Sequence, residues 1–154
     1  MKVILPGSYD PITLGHLEII KRAAEKYDEV LVVAFVNPEK KYHFSEGERL
    51  AMLKLATADI KNVTVDFSSG RVVDYMSEHK VDKIVKGYRN DSDLDYEKVQ
   101  AEYNLKNGGY ETEFIPSESD FSSISSTAAR EAIERGLPLD ELLPQSVAQF
   151  IKIH

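Results

Sequence analysis

Short, nearly continuous apolar runs alternate with amphipathic stretches along almost the whole chain, and this alternation constrains the fold more than any other feature. Glu29 to Val36 (EVLVVAFV) is apolar at every position after the first, as a strand covered on both faces must be. Lys2 to Leu5, Asn62 to Phe67, Lys83 to Lys86 and Glu111 to Ile115 read as four further strands. Between them, Leu17, Ile19, Ile20, Ala23, Ala24 and Tyr27 mark a helical period over His16 to Tyr27. Ser45 and Glu48 form a capping box ahead of Leu50, Leu53 and Leu55. Arg71 to His79 reads as a short helix, and Asp93 to Asn107 as a longer one closed by Gly108-Gly109. Ser125 or Ser126 opens a helix running through Ile133 to Arg135, and a last helix spans about Gln145 to Ile153. Strands separated by helices require crossover connections, so the sheet is expected to be mostly parallel.

The predicted fold is α/β: a single Rossmann-like, doubly wound domain over residues 1–154, with a five-stranded mostly parallel sheet and helices on both faces. Composition supports a chain that builds a sizeable core, since 42% of the 154 residues are hydrophobic and 29% charged. With no cysteine there is no disulfide frame, thiolate zinc site or cysteine nucleophile. No apolar run approaches the ~18 residues that cross a membrane. The start, Met1 to Pro6, reaches a proline too soon for a signal peptide, so a cytoplasmic protein without a membrane partner is expected. Lys plus Arg total 19 and Asp plus Glu 26, a formal charge of −7. That balance argues against a non-specific nucleic-acid binder but leaves room for a small anion held by a local basic cluster.

Sheets of this kind bind ligands outside the carboxyl ends of their strands. The segments to inspect are Pro6–Gly15, Asn37–Phe44, Ser68–Val72, Gly87–Asp93 and Pro116–Ser125. The first reads PGSYDPITLGH and opens a helix, whose free N–H groups suit an anion. It is neither a dinucleotide glycine turn nor a Walker A loop. A single histidine is commonly a solvated or core residue; a Gly15-His16 pair in a helix's first turn after this loop is a better candidate for phosphate chemistry. Lys40-Lys41 suits either a solvated turn or an anion site. Lys86 and Arg89, flanking Gly87 near a strand's end, suit a polyphosphate. One serine of Ser122-Ser123-Ile124-Ser125-Ser126-Thr127 serves as a helix cap, which leaves the rest of the hydroxyl cluster to explain.

The first loop, together with Lys86-Gly87-Tyr88-Arg89, Asp93-Leu94-Asp95-Tyr96-Glu97 and Ile124-Ser125-Ser126-Thr127, resembles the bacterial phosphopantetheine adenylyltransferases of the nucleotidylyltransferase superfamily. The resemblance runs from Val3 to the last helix. It implies transfer of AMP from ATP to 4′-phosphopantetheine, giving dephospho-CoA and pyrophosphate in coenzyme A biosynthesis. The acceptor phosphate would attack the α-phosphorus directly, with no protein nucleophile. The resemblance implies a catalytic set of His16, Lys40, Lys86 and Arg89. It assigns Ser8, Tyr9, His16, Gly87, Tyr88, Arg89 and Glu97, with Phe121, Ser122, Ser123, Ile124, Ser125, Ser126 and Thr127, to ATP. Ser8, Lys40, Val72 and Lys86 fall to phosphopantetheine. Magnesium is expected with ATP, though no protein metal ligand is identified, and a homo-oligomer, a hexamer, is implied.

Some positions depart from the family pattern. Lys86 stands for a usual arginine, Tyr88 and Arg71 for leucines, and Asn90-Asp91 for small apolar residues. Lysine is a point charge where arginine is a bidentate fork, so two readings stay open beside the first. One is a related nucleotidylyltransferase with another phosphorylated acceptor; the other is a catalytically silent nucleotide-binding module.

Overall fold

The apolar run at Glu29 becomes strand β2 (Glu29–Phe35), with Val30 to Ala34 all buried, at the heart of the sheet. It follows β1 (Lys2–Gly7) and helix α1 (Leu14–Lys26). Then come α2 (Glu46–Thr57), β3 (Val63–Ser68), α3 (Val72–His79), β4 (Lys83–Tyr88), α4 (Asp91–Gly108), β5 (Thr112–Pro116), α5 (Ser126–Glu134) and α6 (Gln145–Ile153). The computed structural model describes residues 1–118 and 121–153. The strands lie in the order β3-β2-β1-β4-β5, and every pairing is parallel.

Alternate strand residues enter two cores, as the period of two requires. Val3, Leu5, Val30, Val32 and Val85 meet Ile19, Ile20 and Ala23 of α1, Met52 and Leu53 of α2, and Val147 and Ala148 of α6 on one face. Ile4, Leu31, Val33 and Ile84 meet Tyr75 and Met76 of α3 on the other. Helices therefore cover both faces.

The chain winds outward from β1 through β2 to β3, then returns to place β4 on the other side of β1. That reversal opens a crevice at the carboxyl ends of β1 and β4, where the loops after both strands diverge.

Two boundaries differ from the sequence reading, and the structure adds the buried face of one helix. Strand β4 does not end at Lys86: Gly87 pairs with Ile115 and Tyr88 with Pro116. Gly87 is a packing residue, because a Cβ there would lie 2.7 Å from Ile19 Cγ1 on α1. The longer helix starts at Asp91, since Asn90 is its cap and accepts from the Asp93 N–H at 2.8 Å. This explains the asparagine that departs from the family pattern. Helix α2 buries Arg49, Met52 and Leu53, while Leu55 is exposed, because positions 49, 52 and 53 share one helical face.

Candidate active site

A cavity of about 330 Å³ fills the crevice. Its floor is the carboxyl ends of β1 and β4, from Leu5 to Gly7 and Val85 to Gly87, and its walls come from four loops and helix ends. Of the residues singled out in the sequence, Ser8, Tyr9, His16, Lys40, Lys86, Gly87, Arg89, Glu97 and Ile124 to Thr127 line it together. Tyr88, Phe121, Ser122 and Ser123 lie outside the lining. Val72 also stands apart, packed against the α3-side core.

Helix α1 begins at Leu14 rather than His16 because Thr13 caps it. The Thr13 hydroxyl accepts from the His16 N–H at 3.3 Å, and His16 Nδ1 accepts from the Thr13 N–H at 3.0 Å. His16 thus fills the place usually taken by the Glu or Gln of a capping box. A ring nitrogen that accepts a main-chain N–H carries no proton, so the proton sits on Nε2. Burial, reinforced by the charges of Arg89 and Lys86, lowers the His16 pKa to about 4. The imidazole is therefore a neutral hydrogen-bond donor at the cavity wall. The buried Tyr9 ring meets it edge-on with centroids 5.0 Å apart, and the Tyr9 hydroxyl donates to the Leu5 carbonyl at 2.9 Å. Burial pushes that phenol well above its usual range.

Cations approach from several directions. Lys40 Nζ donates to Ser8 Oγ at 3.2 Å. Lys86 Nζ lies 2.8 Å from Glu97 Oε2, so strand β4 and helix α4 deliver an ion pair. Arg89 Nε is 3.9 Å from Asp93 Oδ2, which also accepts the Arg89 N–H at 3.1 Å. Ser125 caps α5, accepting from the Ala128 N–H at 3.0 Å, which settles the choice between Ser125 and Ser126. The Ser126 hydroxyl instead donates to the Pro11 carbonyl at 2.8 Å, fastening the α5 start to the first loop.

Two arginines complete the site that the sequence reading passed over. Arg49 is 1% exposed, donates to the Ser8 carbonyl at 3.1 Å, and lies over the Tyr42 ring at 3.9 Å. It forms no ion pair among the described residues, so its charge stands directly behind Ser8. Its spacing with Met52 and Leu53 was the available signal. Arg130 of α5 lines the cavity and donates to the Asp10 carbonyl at 2.8 Å and Thr127 Oγ1 at 3.2 Å. No local pattern marked its tie to the first loop, because Asp10 is 120 residues away. A second recess of about 310 Å³ adjoins across Lys40, between the 37–44 loop and the start of α2.

The cavity carboxylates Asp93 and Glu97 face Arg89 and Lys86, and Asp10 faces main-chain N–H groups. Among the described residues, no group of three or more His, Cys, Asp or Glu side chains is placed to hold a metal ion. No helix among them is long and apolar enough to cross a membrane. A neutral donor at a helix start, flanked by basic side chains and a second hydroxyl-rich helix start, is equipped to receive phosphates and stabilise charge gathering on one of them.

The comparisons agree with that chemistry. The cytidylyltransferase-like family model matches residues 4–132. A phosphopantetheine adenylyltransferase from Corynebacterium diphtheriae is 43% identical over 151 residues, covering 97% of this chain and 95% of the relative. On that match, and with the crevice residues arranged as described, the chain belongs to the cytidylyltransferase-like family and, within it, to the phosphopantetheine adenylyltransferases.

Proposed function

We propose that this chain transfers the adenylyl group of ATP to 4′-phosphopantetheine, forming dephospho-CoA and pyrophosphate. One observation carries the mechanism: His16 is held neutral, with its proton on Nε2, at the wall of a cavity bordered by Lys40, Lys86 and Arg89. An acceptor phosphate oxygen attacks the α-phosphorus of ATP. The new O–P bond forms as the bond to the bridging oxygen breaks, and that oxygen leaves with its electrons on pyrophosphate. His16 donates to a non-bridging α-phosphate oxygen as charge gathers there. Lys40 and Ser8 receive the acceptor phosphate, Arg89 and the α5 start receive the β- and γ-phosphates, and Lys86 lies between the two sets. The whole chain acts as one unit in this reading. The protein positions and neutralises, and supplies no nucleophile.

Magnesium arrives with ATP as its counter-ion, held by the phosphates. The cavity carboxylates are committed to Arg89, Lys86 and main-chain donors, which favours a metal that enters on the substrate. The enzyme works in the cytoplasm as a homo-oligomer, a hexamer. Helix α4 supports self-association through Tyr96, Val99 and Tyr103, which are 67%, 63% and 46% exposed.

The test is pyrophosphate release from ATP across a panel of phosphorylated acceptors. Phosphopantetheine is expected to give the highest kcat/KM, and activity is expected to vanish in EDTA. Release with a different acceptor and none with phosphopantetheine would reject the reading. Sedimentation of a single-chain species alone would reject the hexamer.

A further inference from the structure

Asp10 sits in the first loop on the cavity wall, 3% exposed. An anionic side chain there opposes the binding of two polyanions, so its presence calls for a compensating role. Both of its carboxylate oxygens are taken up by main-chain donors. Oδ2 accepts from the His43 N–H at 2.8 Å and Oδ1 from the Phe44 N–H at 2.9 Å. Two consecutive main-chain donors converge on one side chain, one at each oxygen, and a carboxylate accepts at both positions where an amide would set an NH2 at one. The segment so held, residues 37–44, contains no helix or strand and carries Lys40. Its other hydrogen bonds run from the Asn37 N–H to the Tyr42 hydroxyl and from the Glu39 and Lys40 N–H groups back to Asn37, while Arg49 lies over the Tyr42 ring and Phe44 packs on the core. Lys40 Nζ reaches Ser8, two residues before Asp10. The main-chain carbonyl of Asp10 serves the other side of the site, accepting from Arg130 of α5, whose Nη1 also lies 3.9 Å from Oδ2.

We infer that Asp10 is a positioning residue that fixes the 37–44 loop, and with it Lys40, over the acceptor side of the site, while Arg130 fixes the α5 start over the ATP side. The inference rests on the assignment of Lys40 to the acceptor phosphate. The hydrogen bonds of the two anchors are separable, because the Asp10 carboxylate accepts from one loop and its carbonyl, present whatever the side chain, accepts from Arg130.

The experiment compares Asp10→Asn and Arg130→Gln with the wild type by calorimetric dissociation constants for ATP and phosphopantetheine. Asparagine keeps the volume but sets an NH2 against one of the two N–H groups. Losing a charge-assisted buried bond predicts acceptor binding weaker by about tenfold or more, with ATP binding changed less than about twofold. Arg130→Gln is expected to show the reverse pattern. Amide exchange in the wild type supplies a check that needs no variant: the His43 and Phe44 N–H groups exchange slowly despite lying in a loop. Open-loop exchange at both amides, unchanged acceptor affinity in Asp10→Asn, or equal weakening of both ligands would overturn the inference. Wild-type pyrophosphate release is run in parallel. If another acceptor supports release and phosphopantetheine does not, the functional reading fails by itself, and the same split is measured with that acceptor.

Discussion

At His16 the proposed mechanism depends on which ring nitrogen holds the proton, and the Thr13 main chain decides it. Because burial comes first and the neighbouring cations add to it, the ring stays neutral until about pH 4. The shift is downward from 6.5, so neutral His16 contributes stability above that value and loses it as pH falls through about 4. A carbon-detected titration of the imidazole in the free protein is expected to find a midpoint near 4 and none near 6.5. His16→Ala removes a donor needed chiefly when charge develops, so kcat should fall by about a hundred- to thousandfold while ATP still binds. Pyrophosphate release with a parallel ATP titration measures both, and unchanged turnover would exclude the proposed role. The Gly15-His16 pair was legible in the sequence because capping is local. Arg49 and Arg130 were not, since their roles depend on Ser8 and Asp10, which only folding brings near.

The strands and helices were readable as elements because burial imposes its period on the side chains. Their ends were less so, because an end is fixed by what it meets. Strand β4 runs on through Gly87 for such a reason, since α1 lies against that residue with no room for a methyl group. Gly87→Ala is expected to destabilise the fold by about 1–3 kcal/mol through overpacking against Ile19. Urea unfolding of Gly87→Ala, Ile19→Ala and the double variant tests the contact, with the double variant less destabilised than the sum of the singles. Additive effects would mean that the two residues do not share the space. The buried face of α2 has a similar cause: a helix stripe in sequence does not show which flank tilts toward the sheet.

Across the molecule, the candidate site and the Glu113 ion network lie at opposite ends of the sheet. At the end away from the cavity, Glu113 of β5 accepts hydrogen bonds from Lys26 and Tyr27, at the end of α1, and from Lys83 of β4. Burial pushes its carboxyl upward, but these three donors outweigh it and bring the pKa down to about 2. A depressed carboxylate stabilises the fold above its unfolded pKa of about 4.5 and loses that contribution as pH falls toward about 2. Glu113→Gln should therefore lower Tm at neutral pH, with the gap to wild type closing as the pH falls toward about 2. Thermal melts across pH measure it, and a gap independent of pH would show that the network's charge is irrelevant.

The formal charge of −7 is reconciled with anionic substrates at this same scale. Lys40, Lys86, Arg89 and Arg130 meet at one cavity, with Arg49 behind it, although they come from separate elements. The sequence by itself determined the number and kind of elements and the mostly parallel winding, and it marked loops that the fold brings to one cavity, because local periodicity and capping write these into neighbouring residues. Tertiary structure decided the strand order, the proton on His16 Nε2 in its low-dielectric setting, the roles of Gly87, Arg49 and Arg130, and the inward-turned carboxylate of Asp10. Each of these depends on contacts across the sheet or between loops, and close packing sets such contacts only once the chain has folded.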